Sequence, residues 1–227
     1  MQKFDHQSWK ILVTGTSGCG KTTLAEKILR TEKARWKFVY DHQGEFSQRF
    51  KVKAAASPEA LIDATAKGGI ICFDPLEAFP GKAAEGFAFF CDYVFSVASR
   101  LTGRKILFCD ELQKLIDNKN EPIELLTVCE TGRRFEIDFL TISQAPNRIH
   151  NAVRNQFTKV FTFRQSDANA IKYLEENGFD AEKIRNLSAQ KHEWIARDLN
   201  TGEITASSPA LLVNAPGTAS AGSAGER

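Results

Sequence analysis

Residues 11–23 read ILVTGTSGCGKTT, an apolar run that stops at a glycine-rich loop closed by a lysine and two threonines. The segment from Trp9 to Thr14 has the composition of a strand, whereas Leu24, Ala25, Ile28 and Leu29 recur at the spacing of one helix face. Gly15, Gly20, Lys21 and Thr22 fall on the spacing G-x-x-x-x-G-K-[ST]. Strand, glycine loop and helix in that order bring backbone N–H groups and the positive end of a helix to one point, as a bound phosphate requires. Gly15, Gly18 and Gly20 remove side chains that would block a close approach. Lys21 is expected to neutralise the outer phosphates and Thr22 to place its hydroxyl on Mg²⁺. Thr16, Ser17, Cys19 and Thr23 complete the expected nucleotide-binding loop, with ATP as the ligand. Cys19 departs from the usual composition of such loops and in principle makes this one sensitive to oxidation.

Strand and helix signals alternate along the rest of the chain. Trp36 to Tyr40 reads as a strand running into the polar turn Asp41-His42-Gln43-Gly44-Glu45-Phe46. Gly69 to Asp74 is a further strand, and the apolar stretch from Ala83 to Leu101 reads as a buried helix. Residues 105–111, KILFCDE, form an apolar run ending in two carboxylates, the pattern of a parallel strand buried on both faces with its acids at the carboxyl edge. Asp110 is placed to hold the Mg²⁺ shell and Glu111 to orient or deprotonate an attacking water. A helix is expected from Asn120 to about Cys129, with the amide as its cap, ended by Thr131-Gly132-Arg133-Arg134. Phe135 to Ser143 reads as a strand with Gln144 just past its end. In P-loop proteins that carry a glutamate beside the magnesium aspartate, a strand inserted between loop strand and acid strand points its terminal polar residue at the γ-phosphate, and Gln144 occupies that place. Val160 to Phe163 is a short strand, Asp167 to Asn177 a helix, and 192–206 a hairpin.

Composition bounds the partners. At 227 residues and 42% hydrophobic, the chain suffices for one α/β domain. We expect that domain at residues 1–213, followed by a flexible Ala/Gly/Ser-rich tail at 214–227 that has no large apolar residue to pack. A net charge of +2 is too near neutrality to imply nucleic acid by itself. The odd count of five cysteines, three of them (Cys72, Cys91, Cys109) within apolar segments, fits buried thiols and no metal site. No apolar run at the N-terminus resembles a signal peptide, and Glu85, Asp92 and Ser96 interrupt the longest apolar stretch, so no transmembrane segment is expected.

The order of glycine loop, DHQGEF turn, ILFCDE, TGRR and a strand ending TISQAP resembles the FtsK/HerA superfamily of DNA-pumping ATPases over roughly residues 8–165. The resemblance implies the additional-strand, catalytic-glutamate (RecA-like) class of P-loop NTPase, a mostly parallel sheet flanked by helices, here with a C-terminal β-hairpin. It promotes Asp41 and Glu45 to site residues and makes Arg133 or Arg134, with Arg134 favoured, a finger acting on a neighbouring subunit's γ-phosphate. The compact size is similar to the genome-packaging ATPases of tailless, membrane-containing phages of the tectivirus type. That likeness implies a homo-oligomeric ring, a hexamer, at one capsid vertex that pushes double-stranded DNA into a preformed shell. Location would be the host cytoplasm or the packaging vertex of the virion, with capsid or vertex proteins as partners. Lys114, Lys119, Arg148 and Arg154 are the candidates to grip phosphates. Three alternatives remain at this stage: a zonula-occludens-toxin-like export ATPase, a cellular or mobile-element DNA pump, and a nucleotide switch without translocation. Glu111 speaks against the last, since a slow timer does not need a water-activating carboxylate.

Overall fold

The computed structural model describes residues 8–116 and 119–211; the expected tail at 214–227 lies outside them. Eight strands form one sheet in the order β3-β2-β4-β5-β1-β6-β7-β8. They are β1 (Lys10–Thr14), β2 (Trp36–Tyr40), β3 (Gly69–Phe73), β4 (Lys105–Cys109), β5 (Ile137–Ser143), β6 (Lys159–Thr162), β7 (Ile195–Asp198) and β8 (Ile204–Ala206). The first six run parallel, and β7 and β8 add an antiparallel edge. Strand β5 lies between the loop strand β1 and the acid strand β4, so the chain has the P-loop NTPase fold with the additional strand. Because all six parallel strands point the same way, the loops after β1, β2, β4, β5 and β6 open at one edge of the sheet, where ligands of such sheets bind.

The helices are α1 (Lys21–Thr31), α2 (Glu45–Phe50), α3 (Pro58–Lys67), α4 (Ala83–Ala98), α5 (Ile123–Thr131), α6 (Asn151–Arg154), α7 (Ala168–Glu176) and α8 (Ala181–Asn186). Alternation along each strand divides the core in two. Leu12, Phe38, Tyr40, Leu107 and Phe139 face α3 to α8, whereas Ile11, Val13, Val39, Phe108 and Leu140 face α1 and α2. The apolar helix α4 lays Phe87 and Phe90 on the first face; Phe90 stacks on Phe73 with centroids 5.5 Å apart. All five cysteines are buried and free, as their apolar settings imply. No helix among the described residues is long and apolar enough to cross a membrane.

The short helices α2, α6 and α8 were not expected, and the structure departs from the sequence reading at α3, α5 and β5 as well. Helix α3 was not anticipated, although its start has a strong signal: Pro58 sits in the first turn and Ser57 Oγ accepts from Ala60 N at 3.2 Å. Helix α5 begins at Ile123 with Pro122 at its cap, so Asn120 does not cap it. Strand β5 begins two residues late, because Gly132–Phe135 forms a 3₁₀ turn and Glu136 takes a left-handed backbone.

The far edge of the sheet, away from the strand ends that carry the acids, is tied by a buried charge. Asp138, fully buried in β5, accepts from Arg104 Nε at 2.6 Å and from Trp9 N at 2.9 Å. Arg104 also reaches Glu32 at 2.7 Å. This clip ties the start of β1 to β5 at the end of the sheet opposite the glycine loop.

Candidate active site

The loop between β1 and α1 closes on itself. Lys21 Nζ, 6% exposed, donates to Thr16 O at 2.7 Å and lies 3.9 Å from Cys19 Sγ. Thr16 N in turn donates to Arg164 O at 2.9 Å, which ties the loop to the end of β6. The glycines do not share one task. A Cβ at Gly15 would meet Phe163 Cβ at 2.7 Å and Cys19 Sγ at 2.9 Å, and one at Gly20 would meet the imidazole of His192 at 2.9 Å. Only at Gly18 is the space open. Packing against the protein therefore demands Gly15 and Gly20, and Gly18 leaves the mouth of the cradle clear. Cys19 is 1% exposed, and burial raises its thiol pKa despite the nearby Lys21 charge, so the expected oxidation sensitivity is not built into this loop.

At the end of β4, two strands away, Asp110 and Glu111 are 9% and 6% exposed. Burial and then the charge of Glu111 raise the Asp110 carboxyl from its ordinary 3.8 to about 6. Glu111 stands in a left-handed backbone (φ 51°), a conformation uncommon outside glycine, and its N–H donates to Asp110 Oδ1 at 2.8 Å. Both of its carboxylate oxygens are held: Gln144 Nε2 donates to Oε1 at 2.9 Å and Gln113 Nε2 to Oε2. Lys114 Nζ approaches at 3.8 Å. Gln144 is positioned by Gln165, which is 2% exposed and donates from Nε2 to Gln144 O at 3.1 Å across the ends of β5 and β6.

The structure thus brings together Lys21, Asp110, Glu111 and Gln144, four residues expected from sequence. Glu45 is near enough for its charge to act on Asp110, but its carboxylate is engaged by Arg49 at 2.6 Å. Asp41, expected from the resemblance to be a site residue, is buried and its two oxygens accept from Phe46 N at 3.0 Å and Ser47 N at 2.7 Å, so its carboxylate holds the first turn of α2. Arg133 and Arg134 are exposed in the 3₁₀ turn before β5, at the opposite end of that strand from Gln144. Lys114 and Arg148 are exposed near the acid edge, whereas Arg154 is drawn away, its guanidinium 5.3 Å over the Tyr173 ring. Sequence reasoning missed Gln113, Gln165, His42 and His192. His42 stacks on Tyr40 (5.8 Å), and burial, then the Lys114 charge, holds its pKa below the usual histidine value, so it is neutral beside Glu111 at pH 7.

A buried carboxylate with a raised pKa, beside a second carboxylate and a buried ammonium, fits a site completed by a phosphate and a hard cation. Thr14 Oγ1 and Ser143 Oγ, on strand ends in register with each other, are buried without a partner, which leaves acceptors and donors for a hydrated ion. Among the described residues no cluster of three or more His, Cys, Asp or Glu side chains forms a metal site on its own. An ion completing the site would be held by one carboxylate, one hydroxyl and substrate phosphates.

A family model described as "ATPase family associated with various cellular activities (AAA)" matches residues 11–165. Among solved structures, the fold is similar to that of the genome packaging NTPase B204 from Sulfolobus turreted icosahedral virus 2 in complex with AMP. The TM-score is 0.68 at 17% identity, over 88% of this chain and 96% of that one. B204, the DNA-packaging ATPase from Sulfolobus turreted icosahedral virus, gives 0.62 at 16%, over 87% and 95%. The cytoplasmic domain of the type VII secretion ATPase EccC from Thermomonospora curvata gives 0.55 at 14%, over 87% of this chain and 25% of that one. No curated protein sequence gives a significant match. At these identities the likeness is one of fold.

Proposed function

The chain belongs to the ATPase family associated with various cellular activities, and from this premise we propose that its hydrolysis of ATP drives double-stranded DNA into a preformed viral capsid. The observation that carries the reading is the reach of the fold likeness to the genome packaging NTPase. It extends over 88% of this chain and 96% of that one, well past residue 165 where the family match stops. The likeness to the secretion ATPase covers 87% of this chain at a lower TM-score, 0.55 against 0.68, which makes export the weaker alternative.

In this reading residues 1–213 act as one ATPase domain. The loop from Gly15 to Thr23 binds the phosphates, with Lys21 exchanging its bond to Thr16 O for a phosphate oxygen. Thr22 and Asp110 would hold Mg²⁺, which supplies charge neutralisation at the phosphates. Glu111 accepts the proton of the attacking water, and Gln144 fixes its carboxylate on one side while facing the γ-phosphate on the other. Copies of the chain assemble as a hexameric ring at a capsid vertex in the host cytoplasm. Lys114, Lys119 and Arg148 grip the duplex through its phosphates. Glu45, through its pair with Arg49, tunes the charge at Asp110.

The reading is tested by measuring ATP turnover with and without duplex DNA across a salt series, together with native mass of the protein in an ATP analogue and DNA. We expect turnover that DNA stimulates independently of sequence, an effect that falls steeply with salt, and a closed ring. Turnover indifferent to DNA at low salt would overturn translocation. A Glu111→Gln variant placed in the virus should accumulate empty particles; filled but unreleased particles would point to export.

A further inference from the structure

We infer that His192 is a nucleobase-contacting residue of this site, an assignment that rests on the nucleotide-binding reading and extends it to the far end of the ligand. Strand β7 runs antiparallel to β6, with Ile195 opposite Thr162, so the residues just before β7 fall at the same sheet edge as the glycine loop. The turn at 188–193 is firmly built there. Ser188 N donates to Glu193 Oε2 at 2.8 Å, Glu193 N to Ser188 O at 3.0 Å, and Lys191 N to Ser188 Oγ at 3.3 Å. Trp194 anchors it by packing edge-on against Phe161, centroids 5.2 Å apart.

Out of this turn His192, in a left-handed backbone (φ 51°), lays its imidazole on the loop. Its Nδ1 lies 3.0 Å from Cys19 O; with a carbonyl as partner, Nδ1 carries the proton and donates. The ring sits so close to Gly20 that a Cβ there would reach Nδ1, Cγ and Cβ of His192 within 3.2 Å. Yet His192 as a whole is exposed. An aromatic ring held in a disfavoured backbone conformation, with one side on the phosphate loop and the rest in solvent, is placed for a ligand.

Which part of the ligand follows from topology. Asp110, Glu111 and Gln144 stand at the ends of β4 and β5, on one side of β1, and mark where the terminal phosphate reacts. His192 approaches from β7, beyond β6, on the other side of β1. A triphosphate bound along the loop with its γ-end at the acids sends its nucleoside toward β6 and β7, where the imidazole offers a stacking surface. Stacking on an aromatic ring tolerates any base, so His192 contributes affinity for nucleosides over bare polyphosphate more than it discriminates among bases.

Calorimetric binding of a non-hydrolysable ATP analogue and of inorganic tripolyphosphate, both with Mg²⁺, tests this in the parent, His192→Ala and His192→Phe. The expected result is about a tenfold loss of analogue affinity in His192→Ala with tripolyphosphate affinity unchanged, and recovery of most of that loss in His192→Phe, which restores a ring without the bond to Cys19. Equal weakening of both ligands would overturn the assignment, since His192 would then act by shaping the loop. Unchanged analogue affinity in His192→Ala would overturn it as well. A parent that binds neither ligand would overturn the nucleotide reading itself, and this one with it.

Discussion

Gln144 donates its side-chain amide to Glu111 Oε1 at 2.9 Å across 33 residues of sequence, joining the tip of the inserted strand to the acid beside Asp110. The bond holds the Glu111 carboxylate in one orientation, and it means that the two residues are expected to fail differently. Glu111→Gln retains the shape and the loop that binds ATP but has no base, so turnover should fall by about 10²- to 10⁴-fold with nucleotide affinity near the parent's. Gln144→Ala leaves the base present and held on one side only, by Gln113, with a smaller loss in kcat. Steady-state kinetics and analogue binding on both variants check this; parent-like hydrolysis by Glu111→Gln would move the base elsewhere, with Glu45 next.

Asp110 makes the fold sensitive to pH in a calculable direction. Its carboxyl is raised from 3.8 to about 6, so the folded state prefers it protonated. The proton retained in the folded state therefore stabilises the protein fully below pH 4, and that stabilisation is lost as pH rises through about 6. At pH 7.5 the buried charge costs roughly 3 kcal/mol. Without divalent cation, Asp110→Asn should raise the thermal midpoint at pH 7.5 and raise it far less at pH 4, while abolishing turnover. A variant equally stabilised at both pH values would show that the gain has another origin.

Much of this arrangement was legible before any coordinates, and the reason is local. The glycine loop and KILFCDE each compress strand, turn and chemistry into one contiguous run, and the sheet then needs only parallel pairing to bring Lys21 and Asp110 together. Gln144 was legible for a similar reason, lying one residue beyond an apolar strand. The two amides that Asp41 accepts were not legible, because an aspartate just ahead of a helix serves equally well as cap or ligand. Residues such as Gln113, Gln165 and His192 carry no local signal. Gln165 and His192 act through contacts from other strands, His192 reaching Cys19 across 173 residues, and Gln113 through a turn that only the backbone of Glu111 creates. Asp138 reads in sequence as a flaw in an apolar strand, and its meaning appears only when Arg104 and Trp9 arrive from elsewhere.

That clip yields a structural control. Asp138→Ala leaves Arg104 with only its Glu32 partner and Trp9 N without its acceptor, and should destabilise the fold by about 2–3 kcal/mol. Because the clip lies at the far sheet edge, analogue affinity at temperatures where the variant is folded should stay near that of the parent. Denaturant unfolding and binding, measured on the same preparation, separate the two effects; a large loss of affinity in the folded variant would mean that the clip sets the loop geometry directly.

Arg133 and Arg134 are the residues whose position says most about assembly. Both are exposed in the turn that precedes β5, while Gln144 follows its last residue. Seven strand residues at about 3.3 Å each put roughly 20 Å between the arginines and the chain's own acids, beyond the reach of any side chain. If either serves the γ-phosphate, it serves a neighbour's, and an isolated subunit is incomplete. The Arg133→Ala, Arg134→Ala double variant should then lose about 10³-fold or more in turnover, the scale of an arginine acting on a transferring phosphoryl group. Mixing it with Glu111→Gln, itself inactive, should restore part of the activity, because some interfaces pair the intact Glu111 of the first with the intact arginines of the second. A structural defect in either variant would not be cured by mixing. Parent-rate hydrolysis by the double variant under ring-forming conditions would remove both arginines from the chemistry and make Arg148, exposed beside the acid edge, the residue to test.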